Sequence, residues 1–468
     1  MRPRNESARD QLSQLLRRKP GAKAADLALA ANVSLPTMHR ILKEMDADVV
    51  RIGKAGNTCY HLRRALRGAK ADIPVYEVDT AGHVAQTGSL KLLESHGTWL
   101  DVAAMGWPVD GEFALGVWPH GLPYPLQDMR PQGFLGRLFA QSEAKALAVS
   151  TNPKEWGDDD VLHVLLQRGS DASGNLIIGD TALQQWLDAK AKPPKLLTPQ
   201  TLARGYVTLA ATVTERGVAG SSAGGEFPKF TAQRDGSSLS DAQTPHVIVK
   251  FSGADTSATV QRWADLLVCE HLALQAIRMI PGVQSASSRI VQAQGRTLLE
   301  VERFDRHGLF GRSPLCSLDT LEAAILAKTS TDWGHAGELL LAQGWVDSQA
   351  PALLRLIWAF GKLIGNADMH RGNLSFVPSQ TFPGPTLQLA PVYDMLPMMY
   401  APLAGGELPT SAFGPSLPTP KGRDAWLLAY PAALSFWHNA AVDQRISRTF
   451  RDVCVRNATT LERLRAIA

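Results

Sequence analysis

One polar stretch, G-N-A-D-M-H-R-G-N-L-S-F from Gly365 to Phe376, constrains the chain more than any other. It separates two apolar segments and places Asp368 and Asn373 five residues apart. Phosphoryl transfer requires a carboxylate that orients the attacking hydroxyl and, close by, an amide oxygen that binds magnesium. Asp and Asn are also frequent turn residues. The stretch therefore predicts a phosphoryl-transfer site at Asp368, with an ordinary turn as the competing interpretation.

A second carboxylate should follow such a site on a short hairpin, and P-V-Y-D-M-L-P from Pro391 to Pro397 supplies Asp394. Asp394 comes directly after an alternating apolar run that is typical of a strand. An Asp after a strand is also an ordinary cap, so the motif alone leaves both interpretations open. Together, Asn373 and Asp394 form the predicted pair of magnesium ligands, and Asp368 is the predicted catalytic residue.

Length and composition exclude several classes of protein. The chain is long enough for about three domains, and no apolar run approaches the roughly 18 residues of a membrane span. Its first twenty residues lack the apolar stretch of a signal peptide, so we expect a cytoplasmic protein without a membrane partner. No Cys-x-x-Cys pair is present. The cysteines are therefore predicted to be buried, reduced thiols rather than disulfides or zinc ligands.

Residues 1–68 form a separate electrostatic unit, with 14 Lys and Arg against 6 Asp and Glu. Two short helical patterns are followed by a turn at Asn32 and a third helix, for which Ser34 is the predicted N-cap. Its predicted buried stripe contains Leu35, Met38, Ile41 and Leu42. This spacing is typical of a helix-turn-helix, and the following strand pattern with a glycine-bearing tip indicates a two-stranded wing.

A winged helix predicts specific contacts with duplex DNA. The outward positions of the third helix should face the major groove, and the wing should reach the neighbouring backbone. The predicted DNA-binding residues are Thr37, His39, Arg40, Lys43, Arg51 and Lys54. A protein-docking module of the same shape is the alternative. The excess of positive charge favours nucleic acid, because phosphate contacts supply most of the non-specific affinity. Winged-helix proteins often bind palindromic sites as dimers, so a homodimer is compatible with the pattern.

The stretch G-V-A-G-S-S-A-G-G-E-F-P-K-F, from Gly217 to Phe230, predicts a loop rich in backbone donors. Glycines allow N–H groups to approach phosphates closely, and Lys229 would add positive charge. A Gly/Ser loop alone is more often only a turn. The next strand pattern, H-V-I-V-K-F, presents Lys250, and Glu270 follows twenty residues later on an amphipathic helix. In protein kinases, such an ion pair positions the lysine on the phosphates; separately, each residue would be interpreted as an ordinary surface charge.

The segment R-T-L-L-E-V-E-R-F-D-R, from Arg296 to Arg306, runs from an apolar strand into a charged turn, as a hinge between two lobes would. The order of glycine-rich loop, strand lysine, helix glutamate, hinge, Asp-to-Asn loop and metal aspartate is that of a kinase. We therefore predict an α+β multi-domain protein with a winged helix-turn-helix over 1–68, a β-rich amino-terminal kinase lobe over 75–305 and a helical carboxy-terminal lobe over 306–468.

Four of these stretches also resemble one known family. The motifs S-S-A-G-G-E-F-P-K-F, V-E-R-F-D-R, N-A-D-M-H-R-G-N-L-S-F and P-V-Y-D-M-L are together similar to the HipA family of bacterial toxin kinases, over about residues 75–460. The fused amino-terminal winged helix, with the segment P-Q-G-F-L-G-R, looks like the HipH (YjjJ) branch of that family. The resemblance implies a two-lobed kinase fold that uses ATP and Mg²⁺.

The resemblance also implies a role for individual residues. Asp368 would be the catalytic base, Asn373 and Asp394 the magnesium ligands, and Lys250 the phosphate-binding lysine held by Glu270. Glu302 and Phe304 would offer backbone contacts to adenine and Asp305 would lie near the ribose, while the glycine-rich loop would contribute Ser222, Gly224, Gly225 and Lys229. A serine of that loop is autophosphorylated in the family, which ends ATP binding. Ser221 is the closer positional match and Ser222 is its neighbour.

Two classes of function follow. The first is a Ser/Thr protein kinase that inhibits growth by phosphorylating a protein, for example a translation factor, with a HipB-like antitoxin as a partner. The second is a DNA-binding regulator or DNA-acting toxin in which the kinase fold senses nucleotide or phosphorylation. A small-molecule kinase is a third alternative, because the H-x-G-N pattern at His370 to Asn373 is also similar to aminoglycoside phosphotransferases. Intact Asp368, Asn373, Asp394 and Lys250 favour the active kinase.

Overall fold

Helices and antiparallel sheets alternate along the chain, which gives an α+β architecture. The computed structural model describes residues 3–215, 227–236, 242–324, 330–381 and 384–467. The predicted phosphate-loop residues Ser221, Ser222, Gly224 and Gly225 lie outside these ranges.

The amino-terminal part consists of three helices and one antiparallel hairpin. Its elements are α1 (Pro3–Arg18), α2 (Ala24–Ala30), α3 (Leu35–Glu44), β1 (Val49–Ile52) and β2 (Cys59–Leu62). The Ser34 side chain caps α3 by accepting a hydrogen bond from the Thr37 N–H. Met38, Ile41 and Leu42 are buried in a common core with α1 and α2. The prediction for Leu35 was wrong: it is 43% exposed, because the core formed with α1 and α2 includes α3 only from Met38 onward.

The next part contains a five-stranded sheet in the order β6-β5-β4-β3-β7. Its strands and helices are β3 (Ile73–Val78), β4 (Val84–Leu93), β5 (Gly97–Trp99), β6 (Val117–Trp118), α4 (Tyr124–Gln127), α5 (Gly133–Leu147), α6 (Asp158–Arg168), β7 (Leu176–Ile178), α7 (Asp180–Ala191) and α8 (Pro199–Glu215). The amino-terminal hairpin packs on this sheet, where Val50 and Ile52 share an apolar cluster with Leu93. Arg64 adds an ion pair to Asp159 of α6, 2.6 Å away.

A second, four-stranded sheet in the order β10-β11-β9-β8 carries the predicted lysine. Its elements are β8 (Lys229–Gln233), β9 (His246–Phe251), α9 (Ala258–Ala276), β10 (Ser288–Ala293) and β11 (Arg296–Glu302). The Ser257 side chain caps α9. Almost every residue of the second half of α9 is buried, so this helix lies inside the protein and fixes its residues against β9. The span predicted as one β-rich lobe thus contains two separate sheets.

The remainder of the chain is mainly helical and contains one three-stranded sheet, β14-β15-β16. The elements are β12 (Arg306–His307), β13 (Gly311–Arg312), β14 (Cys316–Ser317), α10 (Leu318–Ala324), α11 (Trp333–Ala342), α12 (Ala350–Leu363), β15 (Ser375–Thr381), β16 (Gly384–Leu389), α13 (Arg423–Val442) and α14 (Arg448–Ile467). One extended apolar core joins α9, α12 and α13 with the first sheet. The loop between α12 and β15 carries Asp368, and the chain after β16 carries Asp394.

Among the described residues, no helix is long and apolar enough to cross a membrane. All four cysteines are free thiols; Cys269, Cys316 and Cys454 are buried, whereas Cys59 is partly exposed.

Candidate active site

Lys250 and Glu270 form an ion pair inside the protein. The Lys250 Nζ lies 2.7 Å and 2.8 Å from the two carboxylate oxygens of Glu270. Lys250 is 5% exposed and Glu270 is fully buried. The pair joins the central strand β9 to α9, and breaking a buried pair of this kind leaves an uncompensated charge. Strand and helix are therefore held in one fixed relation around the lysine.

Asp394 binds the same ammonium group as Glu270. Its backbone lies in the left-handed region, with φ 51°, which is uncommon for a residue with a side chain and often marks a functional position. Burial opposes ionisation of Asp394, but the charge of Lys250 outweighs it and lowers the pKa of Asp394 to about 2. Burial raises the pKa of Glu270 to about 7, despite the attraction of Lys250. Asp394 is thus the more firmly ionised carboxylate of the two.

Lys229 and Phe227 lie next to this cluster. Lys229 pairs with Lys250 across the antiparallel strands β8 and β9, and its charge helps to lower the pKa of Asp394. The Phe227 ring lies 5.8 Å from the Lys250 Nζ and packs edge-on against Trp263 of α9. Phe227 and Lys229, which follow the glycine-rich segment in the sequence, therefore lie directly beside Lys250.

Two hydrogen bonds between side chains and the backbone of Asp368 fix the loop that carries it. The Asp368 N–H donates a hydrogen bond of 3.0 Å to the Asn366 side chain, and the Asn373 amide group donates one of 2.9 Å to the Asp368 carbonyl. This bond uses the Asn373 NH₂ group and leaves its Oδ1 as the atom suited to a metal ion. The Asp368 side chain is 52% exposed, and its carboxylate lies 4.0 Å from the His370 Nε2. The loop thus presents a carboxylate while the backbone beneath it is fixed.

Tyr393 connects this loop to the segment that carries Asp394. Its hydroxyl donates a hydrogen bond of 2.7 Å to the Gly372 carbonyl and lies 2.7 Å from the Ser375 Oγ. Because Gly372 precedes Asn373 and Tyr393 precedes Asp394, this bond connects the two chain segments that carry the predicted magnesium ligands. A carboxylate and an amide oxygen are hard ligands of the kind Mg²⁺ takes while it keeps waters and substrate phosphates. The described residues contain no cluster of three His, Cys, Asp or Glu that could enclose a metal by itself.

Arg371, which sequence reasoning gave no role, contacts a different element. Its guanidinium forms an ion pair with the buried carboxylate of Glu322 in α10 and donates a hydrogen bond of 3.2 Å to the Ser330 carbonyl. Arg371 therefore anchors the loop to α10. The signal in the sequence was only an Arg beside the motif, and its partner lies 49 positions earlier.

The predicted hinge residues participate in networks within the protein. The Glu302 N–H donates a hydrogen bond of 2.9 Å to the Ser287 carbonyl, and its carboxylate pairs with Arg234. The Phe304 ring lies 5.6 Å from the ring of Tyr393, the residue before Asp394. The Asp305 carboxylate forms ion pairs with Arg303 at 3.0 Å and with Arg306 at 2.7 Å. Contacts of these residues with adenine or ribose stay predictions.

A cavity of about 790 Å³ connects the hinge to the lysine cluster. Lys229, Lys250 and Asp394 line one side, and residues 301–305 line another. Residues 128–136, from the end of α4 to the first turn of α5, form a further wall. Ligand cavities usually have volumes of roughly 300–1,000 Å³, so this one is large enough for a nucleoside triphosphate.

The predicted DNA-binding residues lie on the surface of the amino-terminal part. His39, Arg40 and Lys43 are exposed on α3, while Thr37 is partly exposed beside the N-cap. Arg40 also lies 3.5 Å from Glu44. Arg51 and Lys54 are exposed on the hairpin β1–β2. Both faces of this hairpin pack inside the protein, Val50 and Ile52 beside Leu93 of the five-stranded sheet and Val49, Tyr60 and Leu62 in the core with the three helices. A partner would therefore reach it at exposed positions such as Arg51 and Lys54.

Comparisons with known families identify the class of protein to which the chain belongs. The family described as HipA-like C-terminal domain matches residues 221–457, slightly more than half of the chain, and the family described as YjjJ-like toxin, middle domain matches residues 69–187. The chain therefore belongs to the HipA-like toxins. Within this class it is similar to the protein named Toxin YjjJ from Escherichia coli strain K12, with 37% identity over 448 residues that cover 95% of each chain.

Two solved structures are more distant. The HipA chain of a Shewanella oneidensis complex of HipA, HipB and operator DNA has 17% identity and a TM-score of 0.47, covering 84% of this chain and 96% of that one. The Helicobacter pylori proinflammatory kinase CtkA has 14% identity and a TM-score of 0.34, covering 52% of this chain and 92% of the other. Scores below 0.5 do not by themselves establish a common fold.

Proposed function

We propose that the chain is an ATP-dependent serine/threonine protein kinase that acts as a HipA-like toxin. The arrangement of Lys250, Glu270 and Asp394 at the wall of a nucleotide-sized cavity carries this proposal, because kinases need this lysine–glutamate pair and metal aspartate together. The bond from Tyr393 to Gly372 supports it further by placing the Asp368 loop beside Asp394. The family membership makes a toxin role the natural biological setting.

In this proposal each side chain has one task. Asp368 orients the acceptor hydroxyl and accepts its proton late in the reaction. Lys250 binds the phosphates of the nucleotide, and Glu270 holds Lys250 in place. Asn373 and Asp394 would hold Mg²⁺, for which Asp394 must exchange its contact with Lys250. Mg-ATP, when bound, supplies the transferable phosphoryl group and the charge that neutralises it. Glu302, Phe304 and Asp305 would border the adenosine.

Substituting Lys250 should weaken Mg-ATP binding. We expect Lys250→Met to lower the affinity by about tenfold or more, because a charge-assisted contact to the phosphates is lost. Glu270 can then take up a proton, since its pKa is already about 7, so the variant should still fold. Isothermal titration measures the affinity, and Lys154→Met, at an exposed lysine far along the chain, is the matched control. Equal affinity for wild type and Lys250→Met would contradict the nucleotide assignment.

The amino-terminal part is proposed to be a winged helix-turn-helix that binds duplex DNA. Its charge and the exposed α3 face support this proposal. The double variant Arg40→Ala, Lys43→Ala should bind duplex DNA more weakly and reduce the slope of log affinity against log salt by about two, as two phosphate contacts disappear. Lys145→Ala, Lys154→Ala in the middle part is the control. An unchanged slope would favour the protein-docking alternative. We also propose a HipB-like antitoxin and a second copy of this chain, in a homodimer, as partners.

One observation favours the second function, a DNA-binding regulator. The hairpin β1–β2 is fixed to the five-stranded sheet by the cluster of Val50, Ile52 and Leu93 and by the Arg64–Asp159 ion pair. DNA on α3 and nucleotide in the cavity would therefore act on rigidly connected parts. In this alternative the kinase fold senses nucleotide or the phosphorylation of Ser221 or Ser222.

A further inference from the structure

A second cavity lies beside the catalytic loop. It has a volume of about 780 Å³ and is separate in its lining from the nucleotide cavity. Helices α11 and α12 form one side, and residues 412–422 form the other. Gly365, Asn366 and Ala367 are part of its wall, and Asp368 is the next residue in the chain. We call this cavity the acceptor groove.

The edge of the acceptor groove is fixed relative to Asp368. The Met399 N–H donates a hydrogen bond of 3.1 Å to the Gly365 carbonyl. Gly365 has a φ of +73°, and a Cβ atom here would lie 2.7 Å from the Met399 sulfur, so only glycine permits this contact. The Phe413 ring anchors the facing segment on Trp437, with 5.2 Å between the ring centroids. A molecule in the groove would therefore have a defined position relative to the catalytic carboxylate.

The groove carries a surplus of positive charge. Glu338 is shared by Arg355, at 2.5 Å, and Lys421, at 2.8 Å. Asp332 caps α11 by accepting a hydrogen bond of 2.8 Å from the His335 N–H. Lys362 is exposed and lies over the Trp358 ring, 5.0 Å from its centroid. Within the described part of the chain, no carboxylate forms an ion pair with Lys362, so this ammonium group is the charge available to a ligand.

We propose that the acceptor groove binds the polypeptide segment that carries the phosphorylated Ser or Thr, and that it selects an acidic residue close to the acceptor through Lys362. This inference rests on the proposed kinase function. A hydroxyl at Asp368 is carried by a chain that rises about 3.3–3.6 Å per residue, so residues next to the acceptor are within reach of the groove wall at Ala367. A groove of this volume, lined by the aromatic side chains of Trp358, Phe413 and Trp426 and by a cation without a carboxylate partner in the described chain, suits an acidic peptide.

The test compares serine peptides with Asp, Ala or Lys at the positions flanking the acceptor. The full-length protein is incubated with Mg-ATP, and the kcat/KM of phosphotransfer is measured for each peptide. The wild type should prefer acidic over basic peptides by about threefold to tenfold, because an exposed lysine attracts an acidic residue only modestly and repels a basic one. Lys362→Glu should reverse this preference, and since Lys362 is exposed the substitution should not disturb folding. Arg463→Glu, which makes the same charge change on the exposed face of α14, is the control and should keep the wild-type preference.

The outcomes separate this inference from the proposed function. An unchanged preference in Lys362→Glu overturns the groove assignment, and so does a wild type that labels itself but labels no peptide of any charge. A wild type that transfers phosphate neither to itself nor to any peptide overturns the kinase proposal on which the inference depends. A preference for basic peptides in Lys362→Glu, with the wild-type preference kept in Arg463→Glu, supports both the groove assignment and the kinase proposal.

Discussion

Asp368→Ala should abolish phosphotransfer and leave Mg-ATP binding intact. A positioned carboxylate contributes about 10²- to 10⁴-fold to such a reaction, so the rate should fall by that factor. The loop should keep its shape, because the hydrogen bonds to Asn366 and from Asn373 use the backbone N–H and carbonyl of residue 368, which alanine retains. Phosphopeptide mass spectrometry after incubation with Mg-ATP measures turnover, and isothermal titration measures binding.

Asp452→Ala is the matched control, since Asp452 is an exposed carboxylate on α14. It should transfer phosphate at the wild-type rate. If Asp368→Ala did so too, the catalytic assignment would be wrong. Growth assays with the same variants separate the two classes of function: a kinase toxin loses growth inhibition with Asp368→Ala, whereas a toxin that acts through DNA keeps it.

The sequence predicted those parts of the site that depend on local pattern. A strand followed by an amphipathic helix was enough to expect Lys250 near Glu270, and the structure contains this ion pair. The polar stretch after α12 likewise indicated a loop that carries Asp368 and Asn373, because it separates two apolar segments. The nucleotide and metal roles of these residues stay predictions, because contacts within the chain do not reveal a ligand.

Contacts between distant segments could not be predicted. An alternating pattern identifies strands but does not tell which sheet they join, so two sheets were interpreted as one β-rich lobe. The family resemblance implied a place for Asp305 near the ribose, which stays a prediction; what could not be foreseen is that its carboxylate pairs with Arg303 and Arg306 and accepts a hydrogen bond from the Gly174 N–H, 131 residues earlier. Periodicity carries no information about partners at such separations.

The ion pairs of Arg306 with Asp171 and Asp305, which we call the electrostatic clamp, connect the segment after α6 to the predicted hinge. Removing Arg306 should have the second large effect, which is on stability. Arg306 is buried and pairs with Asp171 at 2.8 Å and with Asp305 at 2.7 Å. It also donates hydrogen bonds of 2.7 Å to the Ala172 carbonyl and 2.9 Å to the Gly174 carbonyl. These partners place the segment after α6 directly against residues 301–305, which line the cavity of about 790 Å³.

Arg306→Met should lower the free energy of unfolding by about 2–3 kcal/mol at pH 7, because the buried carboxylate of Asp305 loses its closest cation and keeps Arg303 as its other partner. Thermal unfolding followed by circular dichroism measures the change. Arg168→Met is the matched control: Arg168 pairs with Glu143 on the surface, at 3.0 Å, and such pairs contribute about 0–1 kcal/mol.

The pH dependence of this effect identifies its cause. Burial would raise the pKa of Asp305, but Arg303 and Arg306 outweigh it and hold that pKa well below its usual value. A carboxyl group whose pKa is lower in the folded state than in the unfolded state stabilises the fold at pH values above its unfolded pKa, which is about 3.9 for Asp. This stabilisation is lost progressively as the pH falls from that value toward the folded pKa. Arg306→Met has less of this stabilisation to lose, so its deficit should shrink between pH 7 and pH 3. A deficit that is equally large at both pH values would mean that Arg306 acts through packing of its side chain, and the electrostatic clamp would have to be abandoned.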